Sequence, residues 1–189
     1  MDINLQNFDA TIALCQEGDA PAWEALVRHY QGRVYAVAWY YLKNRDEAVD
    51  AAQDTFIKVY AQLDSFRGSS EAFLPWLLTI TRNCSIDRIR KNNTRKRYEE
   101  DFSQSMPLED HQSNPEMQLL SAKSVSLFYR ALEKLNPVNR DIVLLKDIQG
   151  LKLKDVARIL SLPVGTIKSR STRARIELSK LLTELKGQN

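Results

Sequence analysis

Between Val164 and Ile176 the chain carries Lys168, Arg170, Arg173 and Arg175 with no acidic residue, and Thr166, Ser169 and Thr172 are interleaved. On a helix this mixture suits double-stranded nucleic acid: cations hold phosphates, while short hydroxyl side chains reach phosphates or base edges in the major groove. A second concentration of charge runs from Arg82 to Tyr98, with seven basic residues and one acid, Asp87. It follows a loop rimmed by Phe66 and Phe73, with Trp76 close behind. Rings beside cations are what a single strand requires, because a base stacks on a ring while the cations follow the backbone. The same rings would serve equally well as plain core.

No arrangement of residues suggests catalysis. His29 and His111 are isolated, and no G-x-x-x-x-G-K-[ST] loop is present to cradle a nucleotide. Cys15 and Cys84 are the only cysteines, too few for a disulfide scaffold, and no Cys/His spacing resembles a zinc site. They read as two buried or half-buried thiols of a reducing compartment. No metal or cofactor is therefore expected, and the chain is not expected to be an enzyme. The first twenty-seven residues hold five acids and no Lys or Arg, the opposite of a signal peptide's basic start. No apolar run approaches the roughly 18 residues that cross a bilayer. A cytoplasmic protein with no direct membrane insertion is the expectation.

The elements that must carry these residues are helical. Trp23, Leu26, Val27, Tyr30, Val34, Val37, Ala38 and Tyr41 recur at helical spacing, after a start signal at Asp19 and Pro21. Phe56, Val59, Tyr60 and Leu63 form a second stripe, entered through Asn44, Arg45, Asp46 and Glu47. Asp64–Ser70 breaks the pattern as a loop, and helical spacing resumes from about Ala72 towards Arg90. From Glu99 to Ala122 there are six acids and no Lys or Arg, and the stretch from Glu99 to Asn114 also loses apolar periodicity. It reads as a linker, closed by a helix start at Asn114-Pro115-Glu116. Farther on, Leu119 to Leu135 predicts one helix and Ile142 to Ile148 the next, closed by Gln149-Gly150. Lys152–Leu160 and Gly165 to about Leu185, joined by Ser161-Leu162-Pro163-Val164, have the proportions of a helix-turn-helix. Ser161 stands where such turns often have Gly. The expected fold is all-α: two small helical domains, 1–98 and 117–189, joined by a flexible acidic linker, 99–116.

The 189 residues suffice for two such domains, and 43% hydrophobic with 27% charged residues is a globular balance. The net charge of +3, from 27 basic and 24 acidic residues, averages over segments of opposite sign.

In this order the segments resemble the extracytoplasmic-function (ECF) sigma factors, the small two-domain group among bacterial RNA polymerase sigma factors. Asp46-Glu47-Ala48 and Asp50-Ala51-Ala52-Gln53-Asp54-Thr55-Phe56 resemble the family's polymerase-binding helix. Leu63–Gly68, Trp76-Leu77 and Asn83-x-x-x-Asp87-x-x-Arg90 resemble its −10 loop and helix. Pro163–Arg170 with Arg173-Ala174-Arg175 resembles its −35 recognition helix. The resemblance implies that Asp50, Gln53, Asp54 and Phe56 meet the clamp helices of the polymerase β′ subunit. It implies that Phe66, Arg67, Gly68 and Ser69 shape a pocket for a flipped base, with Asn83 bonding there and Arg88, Arg90 and Lys91 on phosphates. It implies that Thr166, Lys168, Ser169, Arg170, Thr172 and Arg173 read or grip the −35 element. Further implied partners are the polymerase β flap, promoter DNA and an anti-sigma factor, which would hold the protein at the membrane in some settings. The implied function is an alternative sigma factor for a stress or envelope response. Two departures stand out: the Gly68–Trp76 loop is one residue longer than usual and carries Glu71 and Pro75, and Ser171 replaces an aliphatic residue. The competing reading is a stand-alone helix-turn-helix regulator with a sensory N-terminal domain, which leaves the basic helix and aromatic loop without a role.

Overall fold

The computed structural model describes residues 8–96 and 115–187, which fall into two compact units. Among the described residues every regular element is helical. The expected domain edge at 98 and 99, and the acidic segment through Asn114, lie outside the described residues. Pro115 and Glu116, assigned above to the linker, already open a helix.

The first unit holds α1 (Phe8–Gln16), α2 (Ala20–Leu42), α3 (Arg45–Gln62), a short 3-10 turn (Leu63–Ser65) and α4 (Ser70–Lys96). Local chemistry sets most boundaries. Asp19 caps α2, its carboxylate accepting the Ala22 N–H at 2.7 Å, with Pro21 in the first turn. Lys43 ends α2 in the left-handed region at φ 55°, and Asn44 starts α3 by accepting the Glu47 N–H at 3.0 Å. Asp46 and Glu47 then place negative charge on the positive end of the α3 dipole. Helix α4 begins at Ser70, before the expected Ala72, and runs through Pro75. A proline there removes one ladder donor, a cost offset by complete burial of Phe73, Leu77 and Leu78 along the same helix.

Leu26, Val34, Val59, Leu63, Phe73 and Leu77 form the heart of this core, all at most 1% exposed. Helix α1 was not anticipated, although Phe8, Ile12 and Cys15 at i, i+4 and i+7 are its buried stripe. Burial, and secondarily the charge of Asp19, push the Cys15 thiol up to about 11, so it is inert packing. Cys84 is buried as well. Tyr60 departs from the expected buried stripe: it is 56% exposed, its ring resting edge-on against Trp23 at 5.1 Å.

The second unit holds α5 (Pro115–Lys134), α6 (Pro137–Ile142), a wide π-type turn (Val143–Ile148), α7 (Leu153–Leu160) and α8 (Val164–Gly187). Asn136 ends one helix and caps the next, accepting the Asn139 N–H at 2.9 Å. Gly150 closes the π-type segment at φ +74°. The turn between α7 and α8 is made without glycine: Ser161 takes φ 54°, and Leu162 N–H reaches the Ala157 carbonyl at 3.0 Å. Ala157 and Ile167 are both buried, as a close crossing of these helices requires. Ile167, Ser171, Ala174 and Leu178 form the inward stripe of α8. Ser171 sits within it at 5% exposure, so the small residue is accommodated in the core.

Candidate nucleic-acid interface

Asp50, Gln53 and Asp54 are exposed on α3 at i, i+3 and i+4, and therefore share one face. Exposed Val49 and Ile57, the latter 67% exposed, bracket Gln53 at i−4 and i+4. The face is thus mixed acidic and apolar, which suits a basic partner helix with some apolar contact. The two aliphatic residues were missed in the sequence because single apolar side chains outside the buried stripe are common on helix surfaces. Phe56 is turned away: half-buried, it packs against the core with its ring edge-on to Trp23 at 6.4 Å.

Arg88, expected among the phosphate-holding residues of α4, lies against this same face. Its Nη1 is 3.3 Å from Asp50 Oδ2 and its Nη2 is 3.7 Å from Asp54 Oδ2. Nη1 also donates to the Glu47 carbonyl at 3.3 Å, and Asn92 Nδ2 donates to Glu47 Oε1 at 2.7 Å. Farther out on α4, Asn83 and Lys91 are exposed, and Arg90 pairs with Asp87 one turn back at 3.7 Å.

The loop before α4 is built around Phe66. Its ring is tilted on Trp76 at 4.9 Å and edge-on to Phe73 at 5.4 Å. Phe66 therefore belongs to an aromatic cluster at the core's rim rather than standing free for stacking. Gly68 lies on that ring: a Cβ there would meet Phe66 Cζ at 2.7 Å and Ala72 Cβ at 2.9 Å. Arg67 bonds the carbonyls of Asp64 and Phe66, the second at 3.1 Å, and Gln16 of α1 donates to the Leu63 carbonyl at 2.9 Å. The loop is held from both sides, and Ser69 remains exposed at its mouth.

On α8, Lys168, Ser169, Thr172 and Arg173 are exposed, while Thr166 and Arg170 are half-buried on the flank. Ser169 and Thr172 lie opposite the buried stripe. Their hydroxyls donate to the carbonyls of Thr166 and Lys168 at 3.1 and 3.3 Å, which leaves their oxygens outward as acceptors. Arg175, read above with the basic stretch, is drawn sideways instead. It forms a two-pronged pair with Asp147 of the π-type turn, with Nε to Oδ2 at 3.1 Å and Nη2 to Oδ1. Nothing in the sequence pointed to that pairing.

Among the described residues no helix is long and apolar enough to cross a membrane. Models of known families match two stretches: sigma-70 region 2 over residues 26–95 and sigma-70 region 4 over residues 126–178. The chain is 32% identical over 176 residues to the ECF RNA polymerase sigma factor SigW of Bacillus subtilis, covering 90% of this chain and 94% of that one. It is 35% identical over 167 residues to the ECF RNA polymerase sigma-E factor of Escherichia coli, covering 85% and 86%. With SigE of Mycolicibacterium smegmatis it shares 33% identity over 180 residues, 94% of this chain but only 66% of that longer relative. Among solved structures, the sigma factor RpoE of Bartonella quintana, in complex with the anti-sigma factor NepR, superposes with a TM-score of 0.67 at 30% identity, over 85% of this chain and 96% of that one. CnrH, solved with the cytosolic domain of CnrY, gives 0.66 at 25% identity over 93% and 96%. An all-helical two-unit architecture, a region 2 match on the first unit, a region 4 match on the second and relatives of like length converge: the chain belongs to the ECF sigma factors, non-enzymatic initiation factors that direct RNA polymerase to promoters.

Proposed function

We propose that the first unit docks on the polymerase β′ clamp helices through Asp50, Gln53 and Asp54, with Phe56 bracing the helix from behind. The Phe66–Ser69 loop and Asn83 then take the −10 element as a melted strand, with Arg88, Arg90 and Lys91 on its phosphates. Extruding a base costs a few kcal/mol, and a loop already held by the bonds of Arg67 and Gln16 adds little ordering cost to that. The second unit lays α8 into the major groove at −35, with Thr166, Lys168, Ser169, Arg170, Thr172 and Arg173 on bases and phosphates, and meets the β flap. The sixteen residues from Glu99 to Asn114 reach at most roughly 55 Å. That is close to a promoter spacer of roughly 16 base pairs at about 3.4 Å each.

The observation that carries this reading is the separation of surfaces: acids and aliphatics on α3, hydroxyls and cations on the outward side of α8. The chain works in the cytoplasm under an anti-sigma factor, in a stress or envelope response; the anti-sigma factor NepR bound to the solved relative RpoE supports that control. Run-off transcription with purified core polymerase tests it. The expected result is a promoter-specific transcript that requires both proteins. Tight duplex binding by the chain alone, with no such transcript, would instead identify a stand-alone helix-turn-helix regulator.

A further inference from the structure

We propose that Arg88 is a latch shared by the two surfaces of the first unit. Paired with Asp50 and Asp54 in the free chain, it is withheld from DNA phosphates until a basic polymerase surface takes over the two carboxylates. The inference deepens the reading above, and rests on its assignment of Asp50 and Asp54 to docking and of Arg88 to phosphate.

The geometry has the asymmetry a latch needs. The Arg88 side chain is only 26% exposed, whereas those of Asp50 and Asp54 are 58% and 54% exposed. The guanidinium is therefore partly enclosed between α3 and α4, while both carboxylates still face solvent and can be approached by a second cation. The Glu47 carbonyl also receives Nη1, and Asn92 steadies the Glu47 side chain. The resting position of Arg88 is thus defined by α3 and not by its own helix. Arg90 is different: it is 77% exposed and pairs with Asp87 of its own helix at 3.7 Å.

Ion pairs this exposed are individually weak, which is what a reversible device demands. A pair strong enough to dominate stability would not yield to an incoming partner. Because each ligand takes one side of the same ion pairs and so frees the other, the coupling is positive and reciprocal: polymerase binding favours DNA binding, and DNA binding favours polymerase.

The test uses the full chain without polymerase and a short, mixed-sequence, fluorescein-labelled single-stranded DNA, with affinity read by anisotropy. The Asp50→Asn/Asp54→Asn variant is expected to bind about three- to tenfold more tightly than the unaltered chain, the range two weak pairs allow. Its salt dependence should steepen by about 0.7, one added phosphate contact on a single strand. Both gains should vanish in the Arg88→Gln background, or in Arg88→Met, which keeps the aliphatic stem, if the first variant folds poorly. A gain of equal size in that background would reduce the effect to net charge, and no gain at all would remove the latch outright; either overturns the proposal. Promoter-complex formation by holoenzyme carrying Arg88→Gln separates the two levels. If it is unimpaired, the phosphate role of Arg88 itself fails. If it is weakened while the Asn variant shows no gain, only the latch fails.

Discussion

Gly68 and Ser161 show how much a single backbone position constrains each unit. Gly68 has an ordinary backbone angle, so its requirement comes from contact: the Phe66 ring and Ala72 occupy the space a side chain would need. The ring cannot easily move aside, since Phe73 and Trp76 hold it. Gly68→Ala should therefore destabilise the first unit by about 1–3 kcal/mol, the usual cost of overpacking. Denaturant unfolding measures this, and adding Phe66→Leu should recover most of the loss; no loss in the single variant would show that the loop yields. At Ser161 the reverse holds. The left-handed conformation costs a non-glycine residue about 1–2 kcal/mol, and the turn pays for it through the capping bonds to the Ala157 and Arg158 carbonyls.

At the scale of elements, α8 depends on what holds it as well as on what it presents. The Asp147–Arg175 pair ties its middle to the π-type turn, and Lys146 adds a contact to Asp147 at 3.1 Å. Burial raises the Asp147 pKa, but hydrogen bonds from Arg175 and Lys146 outweigh it, and the net position is below the ordinary carboxylate value. A group lowered on folding contributes stability above its unfolded pKa of about 3.9 and loses it as pH falls through the lower folded value. Asp147→Asn should accordingly lower stability near neutral pH by about 0.2–1 kcal/mol, as expected for a partly exposed pair. Thermal midpoints of the two proteins should differ by a constant amount down to about pH 4 and converge below that. A gap that persists in acid would mean that Asp147 acts through packing rather than charge.

The whole molecule distributes a net charge of only +3 over acidic and basic surfaces on separate elements. Specificity must then come from a few exposed side chains, and Arg173 on the outward side of α8 is the sharpest case. Arg173→Ala should lose about 1–3 kcal/mol of discrimination for the −35 element if it contacts a base. Competition binding by holoenzyme against scrambled duplex checks this; an equal loss on both sequences would reduce Arg173 to a phosphate contact. The helix expected over Ile142–Ile148 is instead α6 from Pro137, capped by Asn136, followed by the π-type turn. Helices α2 to α5, α7 and α8, the start signals at Asp19 and Asn44, and the helix-turn-helix were legible in the sequence. So was the sharing of one face by Asp50, Gln53 and Asp54. All of these follow from local periodicity and capping chemistry, which act over a few residues. Other features were decided only by the tertiary structure: Phe66 committed to an aromatic cluster, Arg175 turned to Asp147, and Arg88 enclosed by the acidic face of α3. A basic or aromatic side chain reads the same in sequence whether it faces a ligand or a neighbouring helix. Which of these it meets is fixed by the rotational phase at which two helices pack.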